Sequence, residues 1–138
     1  MPYSDKEAII KTIRESFEDN VYPGDDNLFG DVYDPDIPAF SDILHGKHWK
    51  ETLSILEKLE GPSFYFYQSM FVFMTPESLH YYTPAFLIIS MDPKADVVRD
   101  HFLSELDPNQ SECLRQDFSQ LGLTRFMLTI KSQSHRAA

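Results

Sequence analysis

The sequence predicts a single, compact, mostly α-helical domain, and three observations carry that prediction. Apolar residues recur at intervals of three and four in most segments, the spacing of one helix face. Helix start and stop signals bracket several of those segments. With 138 residues and 42% hydrophobic content, the chain is long and apolar enough to bury one core. Eleven Phe and seven Tyr are bulky core material.

The first helix is expected from about residue 5 to 18. Ser4 and Glu7 have the spacing of a capping box, and Asp5 adds negative charge to the first turn. Ile9 or Ile10, Ile13 and Phe17 then recur on one face.

Residues 19–42 read as an acidic, Pro- and Gly-rich loop within the domain, "DNVYPGDDNLFGDVYDPDIPAF" and the two residues after it. Pro23-Gly24 suits the centre of a type II turn, where proline presets φ and glycine accepts a positive one. Asp34 stands before Pro35, a position pushed away from helix. A loop of this length inside a compact domain is either functional or wrapped over the surface.

A short helix is expected to start at Ser41 and break at Gly46. The segment "KHWKETLSILEKLEG" places Trp49, Leu53, Leu56 and Leu59 on one face and stops at Gly61-Pro62. Residues 63–74, "SFYFYQSMFVFM", are ambiguous. Phe, Tyr and Val favour strand, yet nearly every position is apolar and Pro62 suits the first position of a helix. No partner strand is evident, so a buried helix is favoured.

Thr75 reads as the cap of the next helix, with Pro76 at its first position and Glu77 near its positive end. Pro84 then falls at the ninth helical position. It deletes the hydrogen bond to the His80 carbonyl, at a cost of ~3 kcal/mol unless the helix kinks or breaks. The all-round apolar "AFLIISM" places this Pro-kinked helix at the centre. Beyond it, "PKADVVRDHFLSEL" presents Val97 or Val98, Phe102 and Leu106. After Pro108, Cys113 or Leu114, Phe118 and Leu121 share a face, and Leu123, Phe126, Met127 and Ile130 recur before a fraying tail.

Charge is uneven. The net charge is −10; residues 1–42 carry eleven acids and three bases, giving −8 of it. Seven Asp and no Lys or Arg lie between Asp19 and Asp42. Such a field repels phosphate backbones, so nucleic acid is not expected as a partner, whereas a basic protein is electrostatically acceptable. The longest apolar run is far short of the roughly 20 residues of a membrane span, so no membrane association is expected. A single cysteine, Cys113, makes no internal disulfide and fits a reducing compartment. No signal-peptide pattern opens the sequence, and the expected location is the cytoplasm.

Asp25 and Asp26 begin a stretch with partial calcium-loop spacing, but Phe29 and Tyr33 stand where oxygen ligands belong and Asp36 replaces the bidentate Glu of the last position. His45 and His48 flank Gly46 beside Trp49 without a third ligand at zinc spacing. His80, Tyr81 and Tyr82 carry groups capable of acid–base work, but no nucleophile elbow, phosphate-binding loop or H-E-x-x-H accompanies them. The candidate binding residues are therefore Asp25, Asp26, His48, Trp49, His80, Tyr81 and Tyr82, with no catalytic set, metal or cofactor expected. Tyrosine hydroxyls near the proline are read first as partners for carbonyls that a helix break would release.

The blocks "YPGDDN" at 22–27, "GKHW" at 46–49, "FMTPESLHYYTPAFL" at 73–87 and the late "FSQLGLTRFMLTIKS" together resemble an uncharacterised family of small bacterial proteins. That pattern has a Y-P-G-D turn, a Trp-containing helix start and an F-L-[ST]-P-E-[AS]-F-x-Y-Y-L-P-A-F-L block. Leu79, Thr83 and Arg125 depart from it. The resemblance implies a mostly helical bacterial domain and supplies no activity. The favoured expectation is a non-enzymatic, acidic interaction domain, of the kind that immunity and antitoxin proteins represent. The alternatives are a small enzyme or ligand binder with a pocket near His80, Tyr81 and Tyr82, and a homodimer-forming structural domain.

Overall fold

The computed structural model describes residues 2–18, 21–31 and 33–106. In chain order the helices are α1 (Pro2–Ser16), α2 (Ile37–Leu44), α3 (Trp49–Lys58), α4 (Pro62–Tyr65), α5 (Pro76–Ile89) and α6 (Arg99–Leu106). Two 3-10 segments, Phe66–Phe73 and Pro93–Val97, join them. Among the described residues the only β contact is an isolated antiparallel bridge between Phe29 and Met74. The described residues form one all-α arrangement around a shared core.

Helix α5 is central because its sequence is apolar on every side. Leu79, Tyr81, Tyr82, Ala85, Phe86, Leu87 and Ile89 are all buried, and α3, α1 and α6 pack around them. The polar side chains buried on such a helix must be satisfied internally. Ser78, Thr83 and Ser90 are fully buried, and each donates to a main-chain carbonyl: Leu28, Leu79 and Phe86, at 2.7, 2.6 and 2.7 Å. Pro84 lies inside this helix, which continues unbroken from Pro76 to Ile89. The Thr75 hydroxyl caps its start by accepting from the Ser78 N–H at 3.1 Å, as the sequence predicts.

Three expected boundaries are corrected. Helix α1 begins at Pro2, three residues before the expected start; proline at the first position loses only an N–H that would have no helical partner. Ile13 and Phe17 form the buried face, as their spacing requires. Helix α2 begins at Ile37, not Ser41, because Pro38 likewise suits a first turn. This adds Phe40, fully buried, to the core. The stretch after Asp92 is not one helix but a 3-10 turn followed by α6. The change of geometry leaves Val97 76% exposed and buries Val98, Phe102 and Leu106.

The ambiguous segment 63–74 is helical, but most of it is 3-10. In that geometry residues three apart eclipse. Tyr67, Met70 and Phe73 form such a row; the Tyr67 and Phe73 rings lie about the Phe40 ring of α2, at 6.0 and 6.1 Å. Phe71 turns the other way, edge-on to Phe86 of α5 at 4.7 Å and Phe102 of α6 at 5.4 Å. Two apolar neighbours on different sides account for Tyr67, Met70, Phe71 and Phe73, while Val72 stays 70% exposed. The expected helices around Cys113 and after Gly122 lie outside the described residues.

Cationic side chains close two helix ends. The Lys94 ammonium donates to the carbonyls of Leu56 (2.6 Å), Glu57 (2.7 Å) and Leu59 at the end of α3. Arg99, 7% exposed, donates to the Ser90 carbonyl (2.5 Å) and the Asp92 carbonyl (3.0 Å) beyond α5, and pairs with Asp96 at 2.5 Å. Both place positive charge at the carboxyl ends of helices, where the helix dipole favours it.

Candidate functional site: an aromatic junction beneath an acidic strap

Residues 21–31 and 33–36 form a surface strap, held at three places: twice to the helices and once within itself. Tyr22 is the first. Its hydroxyl donates to Asp25 Oδ1 at 2.6 Å and accepts from the Gly46 N–H at 2.7 Å, tying the strap to the turn between α2 and α3. Gly24 takes φ of +103° and Gly46 φ of +68°, left-handed values that glycine adopts without a Cβ penalty. Leu28 is the second fastening. Its side chain is 2% exposed, and its carbonyl accepts from the Thr75 N–H at 3.1 Å and the Ser78 hydroxyl at 2.7 Å. The neighbouring Asn27 carbonyl accepts from the Thr75 hydroxyl at 2.7 Å, and the Gly30 N–H donates to the Phe73 carbonyl at 2.8 Å. At the third, Asp34 Oδ1 accepts from the Asp36 N–H at 2.8 Å just before α2.

Beneath the Tyr22 end lies a cluster of rings. Tyr81 of α5 sits edge-on to Tyr22 (5.7 Å), His48 (5.9 Å) and Tyr82 (4.8 Å). Trp49, 1% exposed, lies beside His48 at 5.5 Å. The Tyr82 hydroxyl lies 2.6 Å from the Leu44 carbonyl and 2.8 Å from that of Lys47, so its one proton is shared between acceptors on either side of the Gly46 turn. The sequence stretches 22–27, 46–49 and 73–87 thus meet at one place.

Electrostatics follow from this burial. Desolvation pushes the Tyr82 hydroxyl far above the ordinary tyrosine value, with the neighbouring Tyr22, Tyr81, Glu51 and Asp25 adding to it. Tyr22 is raised by desolvation and by donating to Asp25, against a lowering from the Gly46 N–H. Tyr81 is raised chiefly by desolvation, offset by a hydrogen bond from the Trp49 backbone. These phenols remain protonated near neutral pH, and none is poised as a base or nucleophile. His48 is exposed and moves the other way: desolvation and Lys50 lower its pKa, while Glu51 raises it. His45 Nε2 lies 3.6 Å from Asp25 Oδ2, both half-exposed.

The structure therefore brings together five of the residues that the sequence singles out: Asp25, His48, Trp49, Tyr81 and Tyr82. Asp26 is exposed beside Asp25, and His80 is half-buried one position before Tyr81. The paired histidines do separate jobs, His45 facing Asp25 and His48 capping α3. Among the described residues no three or more His, Cys, Asp or Glu gather as a metal-ligand set. Sequence reasoning missed Tyr22 as a site residue; the available signal was a tyrosine directly before the Pro-Gly turn. It also missed Gly46, whose N–H the turn presents to that tyrosine.

No family model matches the chain, and neither does any curated protein or solved structure. Fold and site define a compact all-α domain carrying a fastened acidic strap. No helix among the described residues is long and apolar enough to cross a membrane.

Proposed function

We propose that this is a non-enzymatic interaction domain of the bacterial cytoplasm, of the immunity or antitoxin-like kind, whose acidic strap docks a basic protein. One observation carries the reading. Asp26, Asp31 and Asp36 are exposed along a strap that is fastened to the helices before Asp26 at Tyr22 and between Asp26 and Asp31 at Leu28, and that turns into α2 at Asp34 and Asp36, with Tyr33 95% exposed among them. A loop held in place loses less conformational entropy on binding than a free one, and its charge steers an oppositely charged partner. An exposed tyrosine supplies apolar contact at small entropic cost. The burial of Tyr81, Tyr82 and Trp49 supports this reading over a ligand pocket at the junction, since those side chains present almost no surface.

The test is capture of partners from a lysate of the source organism, in parallel at 0.1 M and 1 M salt, where the screening length falls from about 10 Å to about 3 Å. The protein is expected to retain a basic partner at low salt and release it at high salt. The triple variant Asp26→Asn, Asp31→Asn, Asp36→Asn, with unchanged helical circular dichroism, is expected to retain none. Capture that is indifferent both to salt and to the triple variant contradicts the proposal.

A further inference from the structure

The His48 side chain does a job that most helices give to Ser, Thr, Asp or Asn. It stands at the N-cap of α3 in extended conformation, with φ of −65° and ψ of 150°. Its Nδ1 accepts from the Lys50 N–H at 3.1 Å, and the Glu51 carboxylate accepts from the His48 N–H at 3.2 Å, completing a reciprocal capping box. An imidazole can accept at Nδ1 only when neutral, with its proton on Nε2. Protonation makes both ring nitrogens donors and sets an N–H against the N–H it had capped. A hydroxyl or amide cap has no such failure mode.

We propose that His48 is an acid-labile cap, so that the first turn of α3, and with it the ring junction beneath the strap, loosens as pH falls below neutrality. The ring is coupled to the junction because Tyr81 of α5 packs edge-on to it, and Tyr81 in turn contacts Tyr22, whose hydroxyl fastens the strap. The charged and titratable groups around it are few. On α3, Lys50 disfavours the imidazolium and Glu51 favours it. The phenol of Tyr81 faces it from α5, and Tyr22 and Asp25 of the strap reach it through that ring. His45, at the end of α2, is directed to Asp25. Desolvation is the largest influence and lowers the His48 pKa from 6.5. A folded-state pKa below the unfolded one means that the unfolded chain binds the proton more readily. The cap is therefore complete above about 6.5 and is lost as pH falls from there through the lowered value.

Amide hydrogen exchange and nitrogen-15 NMR of the full chain between pH 7.5 and 5 test this. The Lys50 amide resonance is expected to titrate together with the His48 ring, with a midpoint below 6.5. Protection in the first turn of α3, corrected for the intrinsic pH dependence of exchange, is expected to fall roughly fivefold, the equivalent of one lost cap. In His48→Asn, whose amide oxygen accepts at every pH in this range, the fall is expected to vanish. In His48→Ala protection is expected to be low throughout. A His48 midpoint at or above 6.5, a Lys50 amide that does not follow it, or an equal fall in His48→Asn overturns the proposal.

Discussion

Tyr82 shows how much one atom can organise. Its ring is fully buried, and its hydroxyl serves carbonyls 38 and 35 residues earlier in the chain. In Tyr82→Phe the ring packing survives, while the Leu44 and Lys47 carbonyls lose a donor where little water can replace it. The expected cost is about 1–3 kcal/mol of unfolding free energy, read by urea denaturation with an unchanged slope. A loss within 0.3 kcal/mol, as ~1 kcal/mol is typical of even one ordinary hydrogen bond, would mean that those carbonyls are solvated. Part of this role is legible in the sequence. Tyrosine hydroxyls near Pro84 are expected to meet carbonyls that a helix releases. The carbonyls they meet belong to another helix end, because α5 runs on through Pro84 and the interruption is at Gly46. No local spacing encodes a pairing across that distance. His48 was legible as a polar residue at a helix start, but its ring as the cap was not, since imidazole is an uncommon one.

At the scale of elements, helix ends decide more than helix middles. The ammonium of Lys94 has three N–H groups and directs them to three carbonyls at the end of α3, while Nζ lies over the Phe64 ring, 5.0 Å from its centroid. Lys94→Met keeps a flexible apolar stem and removes every donor. It is expected to cost about 2 kcal/mol, on the scale of hydrogen bonds from a charged group, with early exchange of the last-turn amides of α3. Lys94→Arg is expected to recover only part, because a planar fork cannot point at three converging acceptors. An unchanged melting temperature in Lys94→Met would contradict this. The helices themselves were readable from periodicity: Ile13 with Phe17, and Trp49 with Leu53 and Leu56, are buried as predicted. The 66–73 segment was not readable, because apolar residues that face two different neighbours leave no period to detect. The early starts at Pro2 and Ile37 were obscured by prolines, which read equally as turn residues and as first-turn residues.

For the whole molecule, the account joins an acidic surface to the closed junction that holds it. The acidic stretch was visible in the sequence as charge; its fastening at Tyr22, Leu28 and Asp34 was not, because the partners come from the α2–α3 turn, from residues 73–78 and from within the strap itself. The junction is argued to be core, and its phenols report on that directly. Tyr82 is raised above its ordinary value of 10.0, chiefly by burial. A group whose folded pKa exceeds its unfolded one lends stability that is complete below the unfolded value, about 10, and lost as pH rises past it. The most direct measurement is carbon-13 NMR of ring-labelled tyrosine, titrated upward from pH 8 while helical circular dichroism is followed on the same samples. The Tyr82 ring is expected to stay in its phenol form beyond pH 10 for as long as the helices persist, ionising only as they melt. A Tyr82 that ionises at or below 10 in the intact fold would place it in contact with water, and would contradict a closed junction.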